Sequence, residues 1–145
     1  MRVDFYQLGT AKPDAVIAAI AARLLDEGQR LLVVAQPEAL LARLDRLLWD
    51  QGGASFLPHA MAGASEDAAQ PILLTTGTDA PNRARNILIA DGLWREAALG
   101  YERAFLLFDE TSLSAARKAW KSLAQRPDVT RNYWALEEGK WTSKG

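Results

Sequence analysis

Short runs of residues that are apolar at nearly every position restrict the fold of this 145-residue chain more than any other feature. A strand that is apolar on both faces is typical of a parallel sheet covered by helices on each side, whereas a half-exposed strand alternates. We therefore expect a central parallel sheet. The predicted buried strands are residues 31–35, 71–76, 86–90 and 104–108.

Amphipathic segments separate these strands. Pro13 and Pro37 suit the first turns of helices that end near Gly28 and Gly52, and a third helix is predicted at residues 112–125. Strands are also predicted at 3–8 and 131–136, a short helix at 93–99, and a turn at 137–140 that returns Trp141 to the sheet. Strand–helix–strand units have right-handed crossovers. The prediction is one α/β domain over residues 1–145, with three α/β/α layers, a mainly parallel sheet and a Rossmann-like architecture.

Composition excludes several classes of site. The chain has no cysteine and one histidine, so disulfides, thiolate metal sites, cysteine nucleophiles and ordinary zinc sites are not expected. The net charge of −1 predicts no attraction of nucleic acid to the whole surface. No run of about 18 apolar residues occurs, and the chain enters a strand pattern directly after Met1, so a cytoplasmic protein is expected.

The glycine-rich loops do not predict a nucleotide site. Residues 9–13 lack the glycine spacing that brings backbone amides to a pyrophosphate, and no Walker-type lysine is present. Residues 77–81 suit a plain surface turn. Neither ATP nor another cofactor is expected to bind.

The sequence offers two weak catalytic alternatives. His59 lies four residues from Ser55, but the pair lacks a nucleophile-elbow motif and an obvious orienting acid, which favours a hydrogen-bonded loop histidine. Asp109 follows a predicted strand, where enzymes often hold acids, yet it also suits a helix cap. A small enzyme using Asp109 and the strand-end loop that runs from Thr76 to Arg85 is the alternative function.

The segment 49–63 contains large apolar side chains in a stretch that glycines and Pro58 prevent from being helical. Such a loop either folds onto the core or serves a partner. Phe56, Leu57 and Met61 are the candidates for a partner-binding face.

Positive charge is concentrated around the third helix. Residues 111–131 hold five basic residues and one acid, a net charge of +4. At 100° per residue, Arg117 and Lys121 border an apolar stripe that includes Trp120, and Lys118 lies beside them. A cationic border beside an aromatic edge suits an acidic peptide or a phosphate backbone, and its alternative is an ordinary solvated helix face.

Several segments along the chain form a specific combination, a leucine-aspartate helix followed by Ser-Phe-Leu-Pro-His among them. They are Phe5-Tyr6-Gln7-Leu8, Leu44-Asp45-Arg46-Leu47-Leu48-Trp49, Ser55-Phe56-Leu57-Pro58-His59, Ala62-Gly63, Arg85-Asn86-Ile87-Leu88-Ile89 and Trp141. In their order and spacing, over nearly the whole chain, these segments resemble the chi subunit of bacterial DNA polymerase III.

This resemblance implies a non-enzymatic accessory subunit of the clamp loader. It implies two partners, the small psi subunit and the acidic, hydrophobic-ended C-terminal tail of single-stranded DNA-binding protein, with DNA contacted only indirectly. The family's psi-facing aromatic corresponds to Phe56, and its tail-binding arginine, aromatic and lysine correspond to Arg117, Trp120 and Lys121. Further family cations on this helix are replaced by uncharged residues at 113–114 and 122–124, so the cationic border is shorter.

Overall fold

A computed structural model describes residues 1–49, 59–63, 67–137 and 140–144, apart from the side chain of Glu137. Eight strands of the described part form one sheet in the order β3-β4-β2-β5-β6-β1-β7-β8. All neighbours are parallel except β7 and β8, which are antiparallel. The strands are β1 (Arg2–Gln7), β2 (Leu31–Val34), β3 (His59–Met61), β4 (Ile72–Thr75), β5 (Asn86–Ile89), β6 (Arg103–Phe108), β7 (Thr130–Glu137) and β8 (Lys140–Ser143).

Within the described residues, three α-helices accompany the sheet: α1 (Asp14–Asp26), α2 (Glu38–Trp49) and α3 (Leu113–Leu123). Short 3-10 helices cover Asp67–Ala69, Glu96–Gly100 and Glu110–Ser112. Helix α1 ends where the sequence predicts, because Gly28 takes a φ of 71° that side chains disfavour. Among the described residues, none of the helices has the length and apolar character needed to cross a membrane.

The core has two halves, one on each face of the sheet, because alternate strand residues point in opposite directions. Leu31 and Val33 pack with α1 and α2, while Leu32 and Val34 belong to the half that contains α3. Both halves are closed by apolar helix faces. The single-domain, three-layer α/β fold predicted from the buried runs is confirmed.

Helix α3 is placed by the strands on either side of it in sequence. It connects β6 to β7, and both of these strands pair with β1. The helix therefore crosses above β1, where Trp120 meets the ring of Phe5 at a centroid distance of 5.1 Å. The apolar stripe of α3 is buried through Ala116, Ala119 and Leu123, which leaves its charged side exposed.

Two local predictions need correction, and a third holds. The end of segment 49–63 is not loop, because residues 59–61 form edge strand β3 beside β4. The helix predicted at 93–99 is a 3-10 helix at Glu96–Gly100, and α3 proper begins at Leu113 after a separate 3-10 turn. The predicted return of Trp141 to the sheet is confirmed, because β8 pairs antiparallel with β7 and Trp141 lies opposite Leu136; residues 138–139 lie outside the described part.

Candidate partner-binding surfaces

The charged border of α3 separates two surface cavities. Arg117, Lys118 and Lys121 are all exposed. Arg117 and Lys121 line both cavities, as expected for residues one helical turn apart, whereas Lys118 lines only one. The first cavity, here called the α3–β8 recess, has a volume of about 350 Å³ and is lined by Arg117, Trp120, Lys121, Tyr133 and Lys144. The second, the amino-end groove, has about 450 Å³ and is lined by Glu110, Leu113, Ser114, Arg117, Lys118 and Lys121.

Trp120 forms an inner wall of the α3–β8 recess. Its ring is half-buried and makes edge-on contacts with Phe5 at 5.1 Å and Tyr133 at 5.4 Å. Trp120 packs against the core through the apolar stripe of α3 on which its spacing places it, and it also lines the recess. The side chain therefore contributes to the core and to the cavity surface at once.

Arg131 also contacts Trp120. Its guanidinium carbon lies 4.0 Å from the indole centroid, a cation–π contact, and its Nη1 donates to the Trp120 carbonyl oxygen at 2.7 Å. This cation contributes to the charge of segment 111–131, but it is directed at the tryptophan. Arg117 and Lys121 are the α3 cations that line the recess.

Tyr133 and Lys144 complete the recess and were not predicted as site residues. The Tyr133 hydroxyl donates to Gln7 Oε1 at 2.5 Å. Burial raises the pKa of Tyr133 and the Arg117 charge lowers it, with burial the larger effect. Tyr133 is therefore a neutral side chain in the wall of the recess, close enough to Arg117 for that charge to affect its pKa. The backbone N–H of Lys144 donates to the Tyr133 carbonyl oxygen at 2.7 Å, which places Lys144 beside Tyr133, and Lys144 lines the recess together with the α3 cations.

The second candidate surface lies at the β3 edge of the sheet. Phe56 and Leu57, predicted to face a partner, lie outside the described residues. Met61 is 37% exposed and lines a cavity of about 580 Å³ between α2 and the carboxyl ends of β3 and β4. Trp49, at the end of α2, is 57% exposed. Its ring lies edge-on to His59, with a centroid distance of 5.2 Å.

The His59 side chain connects β3 to helix α2 through Asp45. The side chain is buried, and Nε2 lies 3.0 Å from Asp45 Oδ1 and 3.1 Å from the Asp45 carbonyl oxygen. No orienting acid for His59 is obvious in the sequence, but the structure places Asp45 beside the imidazole. The histidine is hydrogen-bonded as expected, but it belongs to a strand and not to a loop. Ser55, its imagined nucleophilic partner, lies outside the described residues.

The strand-end residues of the enzyme alternative are not brought together. Asp109 and Thr76 line different cavities. Asp109 Oδ1 accepts from the N–H groups of Thr111 and Ser112, and Ser112 completes a capping box, so the predicted cap is confirmed. The Thr111 side-chain hydrogen bond makes the largest contribution to lowering the Asp109 pKa.

The loop of residues 76–85 is bound to its surroundings. Asn82 is fully buried and its Nδ2 donates to the carbonyl oxygens of Leu31 and Gln70, at the amino ends of β2 and β4. The Tyr101 hydroxyl donates to the Thr78 carbonyl oxygen at 2.5 Å. Within the described ranges, no three His, Asp or Glu side chains are grouped as metal ligands.

Comparison with known proteins identifies the family. The profile described as DNA polymerase III chi subunit, HolC, matches residues 1–128. This chain belongs to the DNA polymerase III chi subunit family. It is 35% identical over 91 residues to DNA polymerase III subunit chi of Pseudomonas aeruginosa, and 29% identical over 82 residues to the protein of that name from Escherichia coli.

These matches cover only parts of the proteins compared. The match to the Pseudomonas protein spans 61% of this chain and 62% of that relative, and the match to the Escherichia protein spans 57% of this chain and 56% of that relative. Each match thus covers less than two thirds of either protein. The family match includes α3 with Arg117, Trp120 and Lys121 but ends before β7. Tyr133 and Lys144 therefore enter the candidate site through the structure alone.

Proposed function

We propose that this chi-family chain is a non-catalytic accessory subunit of the DNA polymerase III assembly, acting in the cytoplasm. It links a clamp-loader component, psi or its equivalent, to the acidic C-terminal tail of single-stranded DNA-binding protein. The observation that carries the proposal is the α3 border, where Arg117 and Lys121 line two cavities and one of these has aromatic walls. Membership of a polymerase-subunit family supports the setting in replication.

The chemistry of the border suits a peptide that carries both carboxylates and an apolar end. Arg117 presents a planar fork that holds both oxygens of a carboxylate, whereas Lys121 supplies a less directional charge. Trp120 and Tyr133 offer a nonpolar surface beside these cations. Lys118 extends the positive charge along the amino-end groove. Acidic side chains and an apolar terminus are thus both accommodated within one region.

The β3 edge is the proposed site for psi. Met61 and the neighbouring Trp49 expose large apolar side chains at a sheet edge, and the sequence places Phe56 and Leu57 in the segment just before β3. Exposed apolar surface of this kind is typical of protein–protein contacts.

The proposed tail site is tested by fluorescence anisotropy with a labelled peptide that has three aspartates, one glycine and a C-terminal leucine. A hydrogen bond to a charged group contributes about 1.5 to 3 kcal/mol, so Arg117→Ala should weaken binding roughly 10- to 150-fold. Lys121→Ala should have a smaller effect, and Lys118→Ala the smallest. Added salt should weaken the wild-type complex, because its ion pairs are accessible to solvent.

Arg46→Ala is the matched control, because Arg46 is an exposed helical arginine on α2, away from the α3 border. Its affinity should stay within about twofold of wild type. Equal affinities for wild type, Arg117→Ala and Lys121→Ala would place the tail elsewhere and contradict the proposed site.

A further inference from the structure

We propose that the α3–β8 recess receives the last residue of the tail and that Lys144 binds the terminal carboxylate. This inference rests on the proposed function, and it adds a residue that lies beyond the family match.

Charge distinguishes the recess from the amino-end groove. The described residues that line the recess include the cations Arg117, Lys121 and Lys144 and no acid. The amino-end groove also contains cations, but Glu110 forms part of its wall. A carboxylate placed beside Glu110 meets like charge, so the recess is the better position for a chain terminus with its full negative charge.

Apolar contact favours the same assignment. Trp120 and Tyr133 meet edge-on at 5.4 Å and form adjoining aromatic walls of the recess. An apolar side chain placed against these rings loses contact with water, while the carboxylate on the same residue stays at the cationic rim. A terminal residue carries both groups on one α-carbon, and this geometry matches a nonpolar cavity bordered by cations.

The position of Lys144 is fixed by strand pairing. The β7–β8 register pairs Trp134 with Ser143, and the next pair is Tyr133 with Lys144, closed by the 2.7 Å backbone hydrogen bond. Lys144 therefore faces α3 from a separate element. It supplies a third cation where α3 itself has uncharged residues at 122–124. The cationic border predicted from the sequence of the helix is short, and Lys144, which follows β8, extends it.

The test compares Lys144→Ala with Lys140→Ala. Both lysines are exposed, belong to the β8 segment and have the same strand parity, but only Lys144 lines the recess. Each variant is measured with the labelled peptide as a free acid and with its C-terminus amidated. Lys144→Ala should weaken free-acid binding roughly tenfold. Lys140→Ala should stay within about twofold of wild type.

The amidated peptide separates a terminal contact from general attraction. Amidation removes the carboxylate, so wild type and Lys144→Ala should bind the amide equally weakly. If Lys144→Ala weakens both peptides by the same factor, or matches Lys140→Ala, the inference is wrong although the proposed function stands. If wild type binds neither peptide, the proposed function fails and this inference fails with it.

Discussion

At the scale of single residues, neighbouring cations at the α3 border have different tasks. Arg117 and Lys121 line both cavities, whereas Arg131 stacks on Trp120 and donates to its carbonyl oxygen. A cation held against an aromatic face and a backbone oxygen stabilises the wall of the recess. Arg131 is thus a positioning residue for Trp120 and is not among the residues that line the recess.

The first prediction concerns the contribution of the Asp109 cap to stability and its dependence on pH. Its pKa is lowered in the folded protein, chiefly by the Thr111 side-chain hydrogen bond and also by backbone N–H bonds at the cap. A lowered folded-state pKa means that the unfolded chain binds more protons, so this stabilisation is present above the unfolded value and is lost as pH falls through the folded one. Asp109→Ala should lower the free energy of unfolding by about 1 kcal/mol at pH 7.

Urea unfolding of wild type and Asp109→Ala between pH 7 and pH 2 measures this effect. The difference between the two proteins should shrink as the solution is acidified. Asp109→Asn is the control, because an amide oxygen still caps the helix but does not titrate. A difference that stays constant from pH 7 to pH 2 would show that the ionised form of Asp109 is not what stabilises the cap.

At the scale of elements, the β3 edge carries the second prediction. Met61 is 37% exposed at an edge strand, so Met61→Ala should weaken association with psi or with a clamp loader that contains it. The melting temperature should change little, because truncating a partly exposed side chain at the sheet edge leaves no large enclosed cavity. Phe56→Ala is expected to behave in the same way, from the sequence alone.

Leu93→Ala is the matched control for Met61→Ala. Leu93 is 49% exposed and lies after β5, away from the β3 edge. Its truncation should leave association unchanged, as measured by surface plasmon resonance with immobilised partner. Equal losses for Met61→Ala and Leu93→Ala, or a large fall in melting temperature for Met61→Ala, would argue against a partner face at β3.

Some elements of the fold can be predicted from the sequence, and others cannot. The buried strands and the stripe of α3 could be predicted, because their apolar spacing is a local property of the chain. Strand β3 could not be predicted, because three residues are too few to show the alternation of apolar and polar side chains that marks a strand. Its pairing with β4 also depends on residues that are distant in sequence. Lys144 was missed for the same reason: only the β7–β8 register brings it opposite Arg117.

At the scale of the whole molecule, the strand order separates the two proposed surfaces. Strand β3 is at one edge of the sheet and β8 is at the other. At the usual spacing of neighbouring strands, the edges of an eight-stranded sheet lie about 34 Å apart. Helix α3 packs near β1, β6 and β7, whereas α2 contacts β3 and β4. A partner at β3 therefore leaves the α3–β8 recess accessible.

This separation predicts that the two partners bind independently. The affinity of the labelled tail peptide should change by less than about twofold when the protein is saturated with psi, since no side chain that the structure describes lines both cavities. Met61→Ala should leave tail affinity unaltered, and Arg117→Ala should leave psi association unaltered. Anisotropy titrations in the absence and presence of saturating psi measure the coupling directly. A tenfold change in tail affinity would correspond to about 1.4 kcal/mol of coupling free energy, and it would show that the sheet transmits binding from one edge to the other.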